Sequence, residues 1–183
     1  PPKQGSVGIP VIEHVAILDE DGTFLGKGSE GEIVVRGDTV FSGYEGAPEE
    51  NNAAFFNGWF RTGDWGYLDH EGYLFLTGRK KELINKGGEK IAPEEIDTVL
   101  KSHPGVSDAM AFGIADPVMG EDIAAMVVLS DEKVTETELR LYLLDRLVQF
   151  KVPRRIFFVE SIPKTPAGKY LRREGTRRYS STP

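Results

Sequence analysis

Hydrophobic and polar positions alternate at short range through the first part of the chain. VGIPVIEHVAIL, EGEIVVRG and GYLFLTG are runs rich in β-branched and aromatic residues and read as strands. DEDG and DHEG between them are good turn formers. APEENNAAFF reads as a short helix, with Pro48 in its first turn and Gly58 beyond its end. WFRTGDWGYLD reads as a Gly-rich turn around Asp64. Many short strands joined by Gly turns predict a small barrel or sandwich.

The periodicity then changes. ELINKGGEKIAP predicts a hairpin turning at Lys86-Gly87-Gly88. PEEIDTVLKSHPG predicts a helix opened by Pro93 and ended by His103-Pro104-Gly105, with Ile96, Val99 and Leu100 as its apolar stripe. VSDAMAFGIAD and EDIAAMVVLS read as two strands, and RRIFFVES as another. TETELRLYLLDRLVQF predicts a second amphipathic helix, with Thr135 as cap and Glu138 as its capping-box partner. PKTPAGKYLRR reads as a Pro/Gly loop ending in basic residues, and RRYSSTP as a frayed tail. The fold class expected is α+β: a β-rich, barrel-like end of a larger domain, then a small α+β domain.

Charge sharpens the division. Through Gly78 there are 4 Lys/Arg against 13 Asp/Glu, and from Arg79 onward 18 against 16. The break coincides with the change of pattern and sets the expected domains at 1–78 and 79–183. Fourteen of the 22 cations lie in Arg79–Lys90 and Lys151–Arg178. Two local basic segments in a chain of net charge −7 suit small anions better than a nucleic-acid backbone. There is no cysteine, so disulfides and thiolate chemistry are excluded, and the three histidines are isolated in sequence. No apolar run is long enough to span a membrane, and no signal-peptide pattern opens the chain. The C-terminal Ser-Thr-Pro is not a peroxisomal tripeptide, so the cytoplasm is the expected compartment.

Three segments could carry chemistry. GRKKELINKGGEKIAPEEID gathers five basic side chains and three glycines, as an anion approached closely by main chain would require. The plainer reading is a hairpin with solvated lysines. Asp64 in TGD could accept hydrogen bonds from two adjacent hydroxyls, or only from its own turn. Lys169 in PKTPAGK could extend a point charge to a phosphate, or simply be solvated.

Taken in order, TGD, GRKKELINKGGEKIAPEEID and PKTPAGK resemble the three late core motifs of the adenylate-forming superfamily, which includes acyl- and aryl-CoA synthetases, luciferases and peptide-synthetase adenylation domains. The likeness runs through essentially the whole chain and is greatest to CoA synthetases of oxalate–CoA ligase-like and medium-chain types. It implies ATP and CoA as ligands, a small carboxylic acid as substrate, and the end of a large N-terminal domain followed by a mobile C-terminal one. Residue by residue, it implies that Asp64 binds the ribose hydroxyls and that Arg79 contacts the nucleotide. It implies Lys81 as the hinge and Lys169 as the lysine spanning α-phosphate and carboxylate. Gly87 and Gly88 would line the pantetheine passage, with Lys90 a further phosphate contact. Asn85 stands where plant aryl-CoA ligases and luciferases usually have a lysine near the adenylate.

The family's phosphate loop, magnesium-binding glutamate and acyl pocket have no counterpart in these residues. Mg2+ is therefore expected to be held elsewhere, with the rest of the large domain supplied in cis and these residues alone inactive. The alternatives are a non-catalytic binding or regulatory module and an adenylation domain that loads a carrier protein. The first would show a closed polar surface near Asp64. The second would require a carrier segment after Arg178, and none is recognisable.

Overall fold

A computed structural model describes residues 3–11 and 14–179 of the chain. The fold is α+β and divides into two compact units, Pro1–Lys81 and Glu82–Pro183.

The first unit is built on a six-stranded antiparallel sheet. Its strands are β1 (His14–Leu18), β2 (Phe24–Leu25), β3 (Gly31–Arg36), β4 (Phe55–Phe56), β5 (Trp59–Leu68) and β6 (Leu74–Arg79). Helix α1 (Pro48–Ala54) precedes β4. Ile17, Leu18, Ile33, Val34 and Trp65 are buried in its core. Asp19 and Asp69 accept backbone N–H bonds within the two turns, as DEDG and DHEG predict. The expected strand over Val7–Leu18 is shorter: β1 begins at His14, with only a bridge from Gly8 to Leu74 upstream, and Ile12 and Glu13 lie outside the described residues.

Two local readings are corrected. Gly58 does not end α1; with Asn57 it turns the β4–β5 hairpin, both residues having positive φ. WFRTGDWGYLD is not a turn but the ten-residue strand β5. Its register against β3 slips between Glu32–Trp65 and Val34–Arg61, so Thr62, Gly63 and Asp64 bulge outward opposite Ile33. Gly63 supplies the φ of +71° that the bulge needs. The glycines therefore mark an irregularity inside a strand rather than the end of one.

The second unit begins with the hairpin of β7 (Ile84–Lys86) and β8 (Glu89–Ile91), followed by α2 (Pro93–Lys101). The long antiparallel pair β9 (Val106–Asp116) and β10 (Gly120–Leu129) follows, then α3 (Glu136–Leu144) and β11 (Arg155–Phe158), which runs parallel to β10. Period-2 alternation sends the side chains of β9 and β10 into two cores. Ala109, Ala111, Ile123, Ala125 and Val127 pack with Ile96, Leu100, Leu139 and Leu143 of α2 and α3. Met110, Phe112, Ala124 and Met126 form the other core with Ile162, against which Tyr170 and Tyr179 pack.

Thr135 caps α3, its hydroxyl accepting from the Glu138 N–H at 3.2 Å. Glu138 does not complete the expected box: its carboxylate lies 3.6 Å from His103 Nε2. The basic end of the chain is likewise not all tail. Arg172–Tyr179 form helix α4, which includes the Arg177-Arg178-Tyr179 assigned above to fraying, while residues 180–183 lie outside the described residues.

Candidate functional site

In the first unit the β5 bulge places Asp64 opposite Arg79 on β6. Arg79 Nη1 lies 2.9 Å from Asp64 Oδ1, with the guanidinium side chain 57% exposed and the carboxylate side chain 30% exposed. The bulge is held from behind. The Thr62 hydroxyl donates to the Ile33 carbonyl at 2.7 Å and accepts from the Asp64 N–H at 3.0 Å. Two residues 15 apart in sequence thus become one exposed polar pair, an acceptor beside a fixed fork of donors. Thr62 was not anticipated, although it is the first residue of the TGD triplet.

Much of the positive charge in GRKKELINKGGEK is consumed internally. Arg79 pairs with Asp64, Lys80 with Glu32 at 2.9 Å, and Lys86 with Asp122 at 2.7 Å. Arg79 and Lys80 consequently belong to the first unit, which runs beyond the charge break at Gly78-Arg79 to Lys81. Lys81 lies in a short 3-10 turn, Lys80–Glu82, and is exposed, with no ion pair among the described residues. Lys90 sits on β8 opposite Asn85 and is partly buried.

Gly87 and Gly88 form the two-residue turn between β7 and β8, with φ of +60° and +94°. Positive φ at both positions is the primed hairpin geometry that glycine adopts without strain. A Cβ on Gly87 would lie 2.5 Å from Met119 Cε, whereas one on Gly88 would meet nothing within 4 Å. Asn85 stabilises this turn. Its side-chain oxygen accepts from the Gly88 N–H at 3.1 Å, and its own N–H donates to Glu121 Oε2 at 2.7 Å.

Lys169 closes a tight loop. The Thr165 N–H donates to the Lys169 carbonyl at 2.8 Å, and the Lys169 N–H donates to the Thr165 hydroxyl at 3.1 Å. Lys169 itself is exposed, and its ammonium has no ion-pair partner among the described residues. Its neighbours are anchored instead. Lys164 pairs with Asp108 at 2.6 Å, and the Tyr170 hydroxyl donates to the same carboxylate. Burial pushes the Asp108 carboxyl up, but these two hydrogen bonds outweigh it and hold it below its ordinary value. Burial and Asp108 together push the Tyr170 phenol up.

Topology separates the two candidate regions of the second unit. The glycine turn sits where β10 begins: the Gly87 N–H donates to the Met119 carbonyl at 2.8 Å, and Gly120 pairs with Lys86. The Lys169 loop is tied to Asp108, which pairs with Val128 at the far end of the β9–β10 hairpin. At about 3.3 Å per residue, Asp108 and Asp116 are roughly 25 Å apart along β9. Among the described residues no cluster of three or more metal-ligating side chains is present. No helix is long and apolar enough to cross a membrane.

Comparison with known proteins identifies the family. Residues 95–169 match the AMP-binding enzyme C-terminal domain. The chain is 46% identical to an oxalate–CoA ligase of Arabidopsis thaliana over 100% of its own length and 36% of the relative's. It superposes with a TM-score of 0.86 and 38% identity on o-succinylbenzoate CoA synthetase from Bacillus subtilis, solved with its acyl-adenylate intermediate, covering 94% of this chain and 35% of that one. An amide bond synthetase from Marinactinospora thermotolerans gives a TM-score of 0.85 at 37% identity, covering 96% and 36%. The chain thus spans about a third of the length of the curated relatives it matches.

Proposed function

The chain belongs to the adenylate-forming superfamily, within its acyl-CoA ligases, and on that premise we propose that it supplies the nucleotide edge and the mobile domain of an ATP-dependent acyl-CoA synthetase. The observation that carries the reading is the separation of the Lys169 loop and the Gly87-Gly88 turn to opposite ends of one hairpin. Two groups roughly 25 Å apart on a rigid element cannot attend the same reacting atoms together. They can attend them in succession if the domain turns, and Lys81 is the exposed residue at which the two units meet in sequence.

In the first half-reaction, Asp64 accepts from the ribose hydroxyls while Arg79 orients Asp64 and contacts the nucleotide. The substrate carboxylate attacks the α-phosphorus, and like-charge repulsion opposes that approach. The Lys169 ammonium, uncommitted within the described residues, neutralises both reactants and the charge developing on the phosphoryl oxygens. The α–β phosphoanhydride bond breaks, pyrophosphate leaves and acyl-AMP remains. In the second, the CoA thiol loses its proton and attacks the acyl carbon, and AMP departs. The Gly87-Gly88 turn then faces the site and leaves room for pantetheine. Lys90 adds a phosphate contact. The substrate class is a small carboxylic acid, and the rest of the large domain acts in cis.

The test replaces the matching third of the Arabidopsis oxalate–CoA ligase with these residues. Oxalate-dependent ATP–pyrophosphate exchange and thioester formation are expected from the graft. Lys169→Ala is expected to abolish exchange while leaving thioester formation from supplied acyl-AMP. A folded graft with neither activity would overturn the reading. The 183-residue chain alone is expected to show no exchange with any of a panel of carboxylic acids.

A further inference from the structure

The half-reactions above leave the one buried Lys/Arg side chain among the described residues without a task. Arg172 opens α4 three residues after Lys169 and is 8% exposed. Its Nε donates to Glu82 Oε2 at 2.7 Å, and its Nη1 donates to the Ala111 carbonyl at 2.8 Å. Its Nη2 lies 2.8 Å from Asp97 Oδ2 and 3.3 Å from Glu94 Oε1. One guanidinium thereby joins β9, α2, the start of α4 and the residue that follows Lys81.

Stability alone is a poor reason for such a group. The cost of desolvating buried ions offsets most of their Coulombic gain, and the best-attested use of buried ions is to fix register between elements. Here the elements registered are informative. Glu82 is where the chain enters the second unit. Arg172 is separated from the Lys169 loop only by Tyr170 and Leu171, and the Leu171 N–H donates back to the Pro163 carbonyl at 3.0 Å, closing the loop. Without Arg172, the connections from Lys81 to Lys169 pass through more elements, either β7, β10 and β9 to Asp108 or the β7–β8 hairpin and α2 to Lys101, which meets Tyr170.

We propose that Arg172 is a positioning residue that couples the segment leaving Lys81 directly to the loop carrying Lys169, so that rotation at Lys81 is delivered to the ammonium without slack. The inference rests on the reading of Lys81 as hinge and Lys169 as the adenylation lysine. The demand is physical: a catalytic group misplaced by about 1 Å can cost about a hundredfold in rate, and a lysine that must leave and return has to be re-aimed each time.

Glu82→Ala is the informative variant. The Glu82 side chain is 39% exposed, and its removal leaves Arg172 bonded to Asp97, Glu94 and Ala111, so the domain retains its core. Hydrogen exchange on the full 183-residue chain is expected to rise about tenfold or more at the Thr165, Gly168, Lys169 and Leu171 amides, with Ala125 and Met126 on β10 unchanged. Arg172→Lys is expected to restore part of the protection that Arg172→Gln loses. Unchanged loop amides in Glu82→Ala, or an equal rise across the whole second unit, would overturn the coupling. In the graft, Glu82→Ala is expected to lower kcat for pyrophosphate exchange about tenfold with KM for ATP unchanged. A rise in KM alone, or no change in kcat, would count against it. The hydrogen-exchange measurement uses no ATP or CoA. An inactive graft with loosened loop amides would therefore remove the hinge reading and leave the coupling standing, whereas an active graft with unchanged amides would remove the coupling alone.

Discussion

One carboxylate serves two cations in the first unit, whereas one cation serves three carboxylates in the second. Glu32 is 3% exposed and accepts from Arg61 at 2.6 Å and Lys80 at 2.9 Å. Arg172 faces Glu82, Glu94 and Asp97. The imbalance is opposite, and so is the response of the acids. Burial pushes the Glu32 carboxyl up, but the two cations overcome it and hold it below its ordinary value. Burial also pushes Glu94 up, and there Arg172, shared among three carboxylates, does not overcome it. One Glu94 oxygen is buried without a hydrogen-bond partner. Ion pairing therefore does not guarantee stabilisation: in the carboxylate-rich cluster the cost of burying Glu94 is left unmet, and in the cation-rich one that of Glu32 is met.

Replacing each centre tests that contrast. Arg172→Met strands three carboxylates, one of them, Asp97, deep in the second unit, and is expected to cost about 3–5 kcal/mol. Both tryptophans, Trp59 and Trp65, lie in the first unit, so urea unfolding followed by far-UV circular dichroism should shift while tryptophan fluorescence does not. A common shift by both probes would mean that the units unfold together. Glu32→Gln leaves Arg61 and Lys80, whose side chains are 28% exposed and can rehydrate, so about 1–3 kcal/mol is expected, read by the tryptophans.

Acid separates the clusters by sign. Glu32 binds a proton less readily folded than unfolded. Its stabilisation is present above the ordinary value of 4.5 and is lost as pH falls through its lower folded value. Glu94 is the reverse. The folded state takes up its proton first, so stability rises as pH falls from above the elevated folded value toward 4.5. Burial raises Asp97 in the same way, so Glu94→Gln is expected to reduce that rise rather than remove it, and a second unit whose stability falls monotonically with acid would refute the argument from unmet burial. The smallest effect belongs to Asn85→Ala, which frees the Gly88 N–H in an exposed turn and is expected to cost about 0.5–1.5 kcal/mol. It should appear as faster exchange of that amide.

The second unit was the more legible from sequence, and for a physical reason. The strands β9 and β10, buried on both faces, and the helix α2, with Pro93 at its start, carry unambiguous periodicity, and the hairpin turn is written in Gly87-Gly88. Strand β5 was mistaken for a turn because its glycines serve a bulge within a continuing ladder. Helix α4 was missed because Gly175 interrupts a short, strongly basic run. In the fold that glycine packs on Phe112, where a Cβ would come within 2.9 Å of the ring. Asp64, Arg79 and Lys169 could be named as candidates from motif order, but their settings could not. That Arg79 reaches Asp64, or that Arg172 is buried among acids, depends on pairings between residues distant in sequence.

Among the described residues, strand β9 has a strand neighbour on one flank only, in β10. Along its other flank, Asp97 accepts the Ala111 N–H at 2.5 Å, Arg172 takes the Ala111 carbonyl, and the Thr176 hydroxyl takes the Gly113 carbonyl at 2.8 Å. Side chains from α2 and α4 thus fill the places a further strand would occupy. An open flank of this length is a template on which a second chain could add and begin to aggregate. A domain that turned as proposed above would present such a flank repeatedly, and the acid–base pair Asp97–Arg172 denies it to any passing strand.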